Sequence, residues 1–130
     1  MSETLHDFND QLFDNGRTPD ELIADALAGP HSRHDDPDWV KARNVLEQRD
    51  TAAAHRVMRV AANRPDEAHC LDVWGTIAGI KTAPHRRPAD LRAAGMLVPV
   101  DMGHTLSGAN AMKYRIHPKL VRAFRTLDGA

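Results

Sequence analysis

Cysteine, aromatic residues and long apolar runs are all scarce in this chain. A single cysteine, Cys70, rules out an internal disulfide and leaves no set of cysteines for a two- or four-cysteine zinc site within one chain. A reducing compartment fits that usage. Aromatic residues make up only 5% of the sequence, so surfaces for stacking on bases are few. No stretch approaches the roughly 20 consecutive apolar residues of a membrane span. The opening, MSETLHDFNDQ, is acidic where a secretory signal is basic and then apolar, so the expectation is a cytoplasmic protein. Catalytic signatures are missing too: there is no phosphate-cradling glycine loop, serine elbow or HExxH helix, and the expectation is a protein that is not an enzyme and needs no cofactor.

What is present is an ordinary globular composition with an uneven charge. The 130 residues are 42% hydrophobic and 27% charged, enough to bury a core in one domain with or without an arm. The formal net charge of −1 conceals a division. Residues 1–38 carry ten acids and two bases, a net of −8, whereas the rest carries eight acids and fifteen bases, a net of +7. A basic body suited to polyphosphate and an acidic arm able to oppose it follow from that division.

Two helical patterns occupy the arm. Leu5, Phe8, Leu12 and Phe13 recur at helical spacing, and Thr18-Pro19-Asp20-Glu21 reads as a capping box opening a helix through Leu22, Ile23, Ala26 and Leu27. Gly29 to Asp38 is rich in breakers and reads as a linker, giving an arm at 1–36 and a body at 37–130. The body begins with a helix through Trp39, Val40, Val45 and Leu46. A second, capped by Asp50-Thr51, runs through His55, Val57, Met58 and Val60, unless the two are continuous. After Asn63-Arg64-Pro65, Asp66-Glu67 is expected to start an apolar helix through Leu71, Val73, Trp74 and Ile77 that Gly79 ends.

Thr82 or Pro84 is expected to cap the next helix, with His85, Arg86 and Arg87 in its first turn, Leu91 and Ala94 facing the core, and Gly95 at its end. Met96 to Val100 is a strand-length apolar run, Asp101 to Asn110 a turn, and Ala111 to His117 an alternating second strand. Pro118 opens a last amphipathic helix with Leu120, Val121, Phe124 and Leu127 on one side, which becomes a dimer contact if its apolar face exceeds what one domain buries. The fold class expected is mainly α with a small β-hairpin, an α+β arrangement.

In a helix-turn-helix the second helix of the pair enters the major groove with its N-terminal residues toward base edges. That order brings Thr82, His85, Arg86, Arg87 and Asp90 to the contact zone, and arginine suits it because its planar fork grips guanine O6 and N7 together. The run Leu91-Arg92-Ala93-Ala94-Gly95-Met96-Leu97, then Ser107-Gly108 and Met112-Lys113-Tyr114-Arg115-Ile116, resembles the winged helix-turn-helix domains of small phage and mobile-element regulators. The resemblance spans about fifty residues, Asp66 to His117, and rests on order and spacing. It implies a winged helix-turn-helix core, a transcriptional regulator binding double-stranded DNA, contacts from Arg86, Arg87 and Arg92, and a wing at Asp101 to Asn110. Lys113 and Arg115 on the return strand stand in for basic residues that this wing lacks, and two-fold dimerisation on a pseudo-palindromic site accompanies the reading.

Other readings attach to the same residues. Arg86 and Arg87 also fit a solvated face, while Trp74 and Tyr114 sit in apolar periodicity and read as core. Cys70 reads as a small buried hydrophobe. His31 and His34 with Asp35, Asp36 and Asp38, or His69-Cys70, offer metal ligands but read as polar surface, so no metal is expected. The uncharged wing and the acidic arm favour an alternative function, a protein-interaction module that acts as an adaptor or a phage-encoded inhibitor and meets a host protein through the arm. A hybrid has the arm folding over the basic face and holding it off DNA.

Overall fold

A computed structural model describes residues 18–28, 37–48 and 51–125. The apolar pattern at Leu5 to Phe13, most of the linker with His31 and His34, Asp50, and Leu127 lie outside the described residues. The elements in order are α1 (Pro19–Ala28), α2 (Pro37–Leu46), α3 (Thr51–Ala62), α4 (Leu71–Ile77), α5 (Arg86–Ala93), β1 (Leu97–His104), β2 (Asn110–Ile116), a 3-10 turn (Pro118–Leu120) and α6 (Val121–Phe124). The class is therefore mixed α and β, six helices with one antiparallel hairpin. Among the described residues no helix is long and apolar enough to cross a membrane.

The capping box at α1 forms reciprocally: the Thr18 amide donates to Glu21 Oε1 at 2.8 Å and the Glu21 amide to Thr18 Oγ1 at 3.2 Å. Two first-turn donors that would otherwise lack partners are satisfied this way. Leu22, Ile23 and Ala26 then face inward at helical spacing, and α1 packs on the 3-10 turn and α6. Ile23 and Ala26 thus share one hydrophobic cluster with the body. α2 and α3 are separate helices, α2 being followed by a turn at Glu47 and Gln48. Ala54, Val57, Met58, Ala61 and Ala62 form the buried stripe of α3, spaced as one face of a helix requires.

α4 begins later than the sequence suggests. Asp66 and Glu67 do not open it; its N-cap is Cys70, and His69 instead forms a one-residue antiparallel bridge with Tyr114 of β2. Backbone pairing with the hairpin (Tyr114 N–H to His69 O, 2.8 Å; His69 N–H to Tyr114 O, 2.9 Å) displaces the first helical turns that the acidic pair would have favoured. The Tyr114 carbonyl also accepts from Trp74 Nε1 at 2.7 Å, so both its lone pairs are used in the buried core.

Gly79 and Gly95 end α4 and α5 as expected, with φ of +84° and +81°. In each the amide two residues past the cap closes the loop: Ile80 N–H to Gly75 O and Met96 N–H to Leu91 O, both 2.9 Å. β1 pairs with β2 from Leu97↔Ile116 to His104↔Asn110, with a register shift between Pro99 and Met102. The turn expected at Asp101 to Asn110 is therefore shorter. β1 continues through His104, because the bulge absorbs Val100 and Asp101 and restores pairing at Met102↔Met112. The C-terminal segment starts as a 3-10 turn, its N-cap His117 accepting from the Lys119 amide at 3.2 Å, before four residues of α6.

Candidate nucleic-acid interface

α5 is the element on which the candidate residues converge. It starts at Arg86 with His85 at the N-cap, and the first helical bond runs from Ala89 N–H to His85 O at 3.0 Å. Neither Thr82 nor Pro84 caps it: Thr82 lies in a bend, and Ala83, at a φ of +49°, turns the chain so that Arg86 N–H reaches Ala83 O. Pro88 is tolerated because first-turn amides have no intrahelical acceptor. Pro88 and Leu91 sink into the core, which leaves Arg86, Arg92 and Ala93 exposed; Ala94 is only half-buried.

The turn before α5 is held by a backbone contact. A Cβ built on Gly75 of α4 would stand 1.8 Å from the Pro84 carbonyl oxygen, so only glycine lets α4 meet the strap that leads into α5. An isolated glycine inside a helical pattern is the sequence sign of such an approach.

The seven candidate residues fall into two sets. Thr82, His85, Arg86 and Arg92 are exposed at or beside α5, and neither Arg86 nor Arg92 has an ion-pair partner among the described residues. Arg87, Lys113 and Arg115 are half-buried and already paired. Arg87 Nη1 donates to Asp90 Oδ2 at 2.6 Å, Lys113 Nζ stands 3.3 Å from Asp101, and Arg115 Nη1 stands 3.8 Å from Asp20 of α1. The Arg87–Asp90 contact is a short charge-assisted bond one helical turn apart. Lys113 lies across from the bulge, its stem filling the space that a side chain at Gly103 would take.

Acidic residues of the arm and linker continue this pattern. Asp25 stands 3.6 Å from Arg122, and Asp38 3.4 Å from Lys119. Three carboxylates N-terminal to residue 39 thus face cations of β2, the 3-10 turn and α6. The charge division along the sequence pointed to opposition between arm and body, but nothing in it pointed to these partners.

The hairpin loop is braced from α4. Asp72 Oδ2 accepts the Leu106 amide at 2.9 Å, and the loop bonds to itself through Thr105 N–H to Ala109 O at 2.8 Å and Gly108 N–H to Thr105 O at 2.9 Å. Asp72 was not singled out by sequence reasoning; a lone acid in a helix's first turn carries no sign of a loop 34 residues away. Val100, Met102 and Leu106 are exposed on the hairpin at 47%, 58% and 59%. Cys70 is buried beneath it, its Sγ 3.5 Å from the Ala111 carbonyl, and burial with the nearby Asp72 carboxylate pushes its thiol pKa up, against a smaller pull from Lys113. That keeps the thiol protonated and unreactive. His55 packs edge-on to Phe124, and burial, then the Arg59 charge, holds its pKa below the ordinary value.

No family model, no curated protein and no solved structure matches the chain.

Proposed function

We propose that this chain is a sequence-specific DNA-binding protein, a transcriptional regulator of the phage or mobile-element kind, built as a winged helix-turn-helix. In this reading α4 and α5 are the helix pair, α5 enters the major groove, the β1–β2 hairpin is the wing, and the protein binds as a homodimer to a pseudo-palindrome. The observation that carries it is the face of α5: two arginines, Arg86 and Arg92, stand exposed and unpaired among the described residues on a helix whose opposite face is sealed into the core. A cation that gives up no ion pair on binding contributes its full counterion release. Small Ala89 and Ala93 beside them leave room for a close approach to the groove. Binding of a duplex fragment pool by wild type and by an Arg86→Ala, Arg92→Ala double variant tests the proposal; it requires a loss of affinity at least tenfold in the variant.

A second reading, a protein-interaction module, draws support from Val100, Met102 and Leu106. They give the hairpin an exposed apolar surface where a wing that grips phosphate would be basic. Salt-insensitive capture of a protein partner, lost on Met102→Asp, favours this reading over DNA binding.

A further inference from the structure

The outer face of α3 carries a second set of cations. Arg56 and Arg59 are exposed on the side opposite its buried stripe, and with Arg64 of the turn beyond they line a groove of about 320 Å³ against the end of α4. The other lining residues, Val60, Asn63 and Ala78, are uncharged, so no carboxylate among the described residues lines the groove. Arg56 is fixed in place: its Nε donates at 3.3 Å to the carbonyl of Ala78, the C-cap of α4, where a helix end favours a cation. That bond leaves both Nη groups of Arg56 without a partner among the described residues, and Arg59 has no ion pair or side-chain hydrogen bond among them. Arg64 stands 3.8 Å from Glu67, a loose and solvated pair.

The cations continue beyond α3. Ala78 leads directly into the strap, where Lys81 and Thr82 are exposed, and the strap leads to His85 and Arg86 at the head of α5. From Val73 to Ala89 the chain has no acidic residue. We infer that the α3 groove is a phosphate-binding surface for the backbone of the duplex that α5 enters, held by Arg56 and Arg59. The inference rests on the DNA-binding reading and extends it to a second element. Guanidinium forks match phosphate oxygens two at a time, and neither arginine gives up an ion pair among the described residues, so each contact releases counterions in full. An acidic protein would meet the same charges, but the run of cations through the strap joins this groove to α5. Backbone contacts carry no base information, so the groove adds affinity for every sequence and sets the register of α5 on the duplex.

The test measures binding of a labelled duplex by the full chain across a range of salt, together with sequence enrichment from a mixed pool. Wild type is compared with Arg56→Gln plus Arg59→Gln and with Arg56→Lys plus Arg59→Lys. The glutamine pair is expected to lower affinity at least fivefold for preferred and unrelated duplexes alike, to reduce the salt slope by about 0.9 for each lost contact, and to leave the enriched sequence unchanged. The lysine pair keeps the slope, because a point charge suffices for a phosphate. Arg59→Gln alone breaks no bond among the described residues, so it lowers the slope with the melting temperature unchanged even if loss of the Arg56–Ala78 bond loosens the fold. Wild type that binds duplex while the glutamine pair and Arg59→Gln bind equally well with the same slope overturns the inference and leaves DNA binding through α5 standing. A loss confined to one sequence overturns it as well. Poly-glutamate titrated in parallel identifies an acidic protein partner: its binding by wild type, lost in the glutamine pair while duplex binding is unchanged, reassigns the groove. Failure of wild type to bind any duplex overturns both readings.

Discussion

Arginines of the same formal charge differ in what they can offer a ligand, and the difference lies in their partners. Arg87 is bound to Asp90 at 2.6 Å, so a phosphate would have to compete with that carboxylate, whereas Arg86 and Arg92 have no carboxylate partner among the described residues to give up. Arg86→Ala is accordingly expected to cost more DNA affinity than Arg87→Ala. The cost is about 1–3 kcal/mol if Arg86 reads a guanine, and each lost phosphate contact lowers the salt slope by about 0.9. Gly75 carries a different test. A methyl group there would meet the Pro84 carbonyl at 1.8 Å, and backbone cannot step aside as a side-chain tip can. Gly75→Ala is expected to destabilise the fold by more than about 3 kcal/mol, read from the denaturant midpoint; a loss below about 1 kcal/mol would mean that α4 and the strap are not so close. His55 supplies a pH signature. Its pKa is lowered on folding, so the unfolded chain takes up the proton more readily. Stability is complete above the ordinary value of 6.5 and declines as pH falls from there through the folded-state pKa. His55→Gln should flatten the melting temperature between pH 6.5 and the onset of carboxylate titration near about pH 4. An unchanged slope would place the proton uptake elsewhere.

Elements that stop on chemistry of their own were legible in the sequence, and elements set by distant pairing were not. The α1 capping box and the glycine ends of α4 and α5 depend on neighbours within a turn, and they stand where the residues placed them. The start of α4 and the length of β1 depend on partners far along the chain, His69 on Tyr114 and Met102 on Met112, and local propensity carries no information about either. The candidate site divides the same way. That Arg86, Arg87, Leu91 and Arg92 lie on α5 followed from order and spacing, but where the helix starts and which of its arginines are spent on carboxylates did not. The arm shows this most clearly. Its acids could be counted, yet that Asp20 would stand by Arg115 and Asp25 by Arg122 follows only from the packing of α1 on the C-terminal segment. Because Ile23 and Ala26 of α1 are core residues, deleting the arm would confuse lost charge with lost packing. Asp20→Asn with Asp25→Asn separates them. If the arm restrains the basic face, the pair raises duplex affinity and steepens its salt dependence while the melting temperature changes little, the Asp20 side chain being 90% exposed. Equal affinity in wild type and variant would assign these pairs to surface solvation alone.

At the scale of the whole molecule the charge is segregated twice, along the sequence and again in space. The first 38 residues carry −8 and the remainder +7, and three of the four described acids of that first part, Asp20, Asp25 and Asp38, are turned toward β2 and the C-terminal segment. α5 keeps its two exposed arginines clear of those pairs. A molecule with a net charge of −1 can therefore still present a local cationic face, and the field near a groove-sized helix, not the net charge, governs the encounter with a polyanion. The most direct test of DNA binding through α5 is retention of duplex fragments from a mixed pool by the full chain at low and moderate salt, with the Arg86→Ala, Arg92→Ala variant alongside. Retention by wild type that weakens with salt, enriches a preferred sequence and falls at least tenfold in the variant is the predicted result. Failure of wild type to retain any duplex at low salt, or equal retention by the variant, would contradict it.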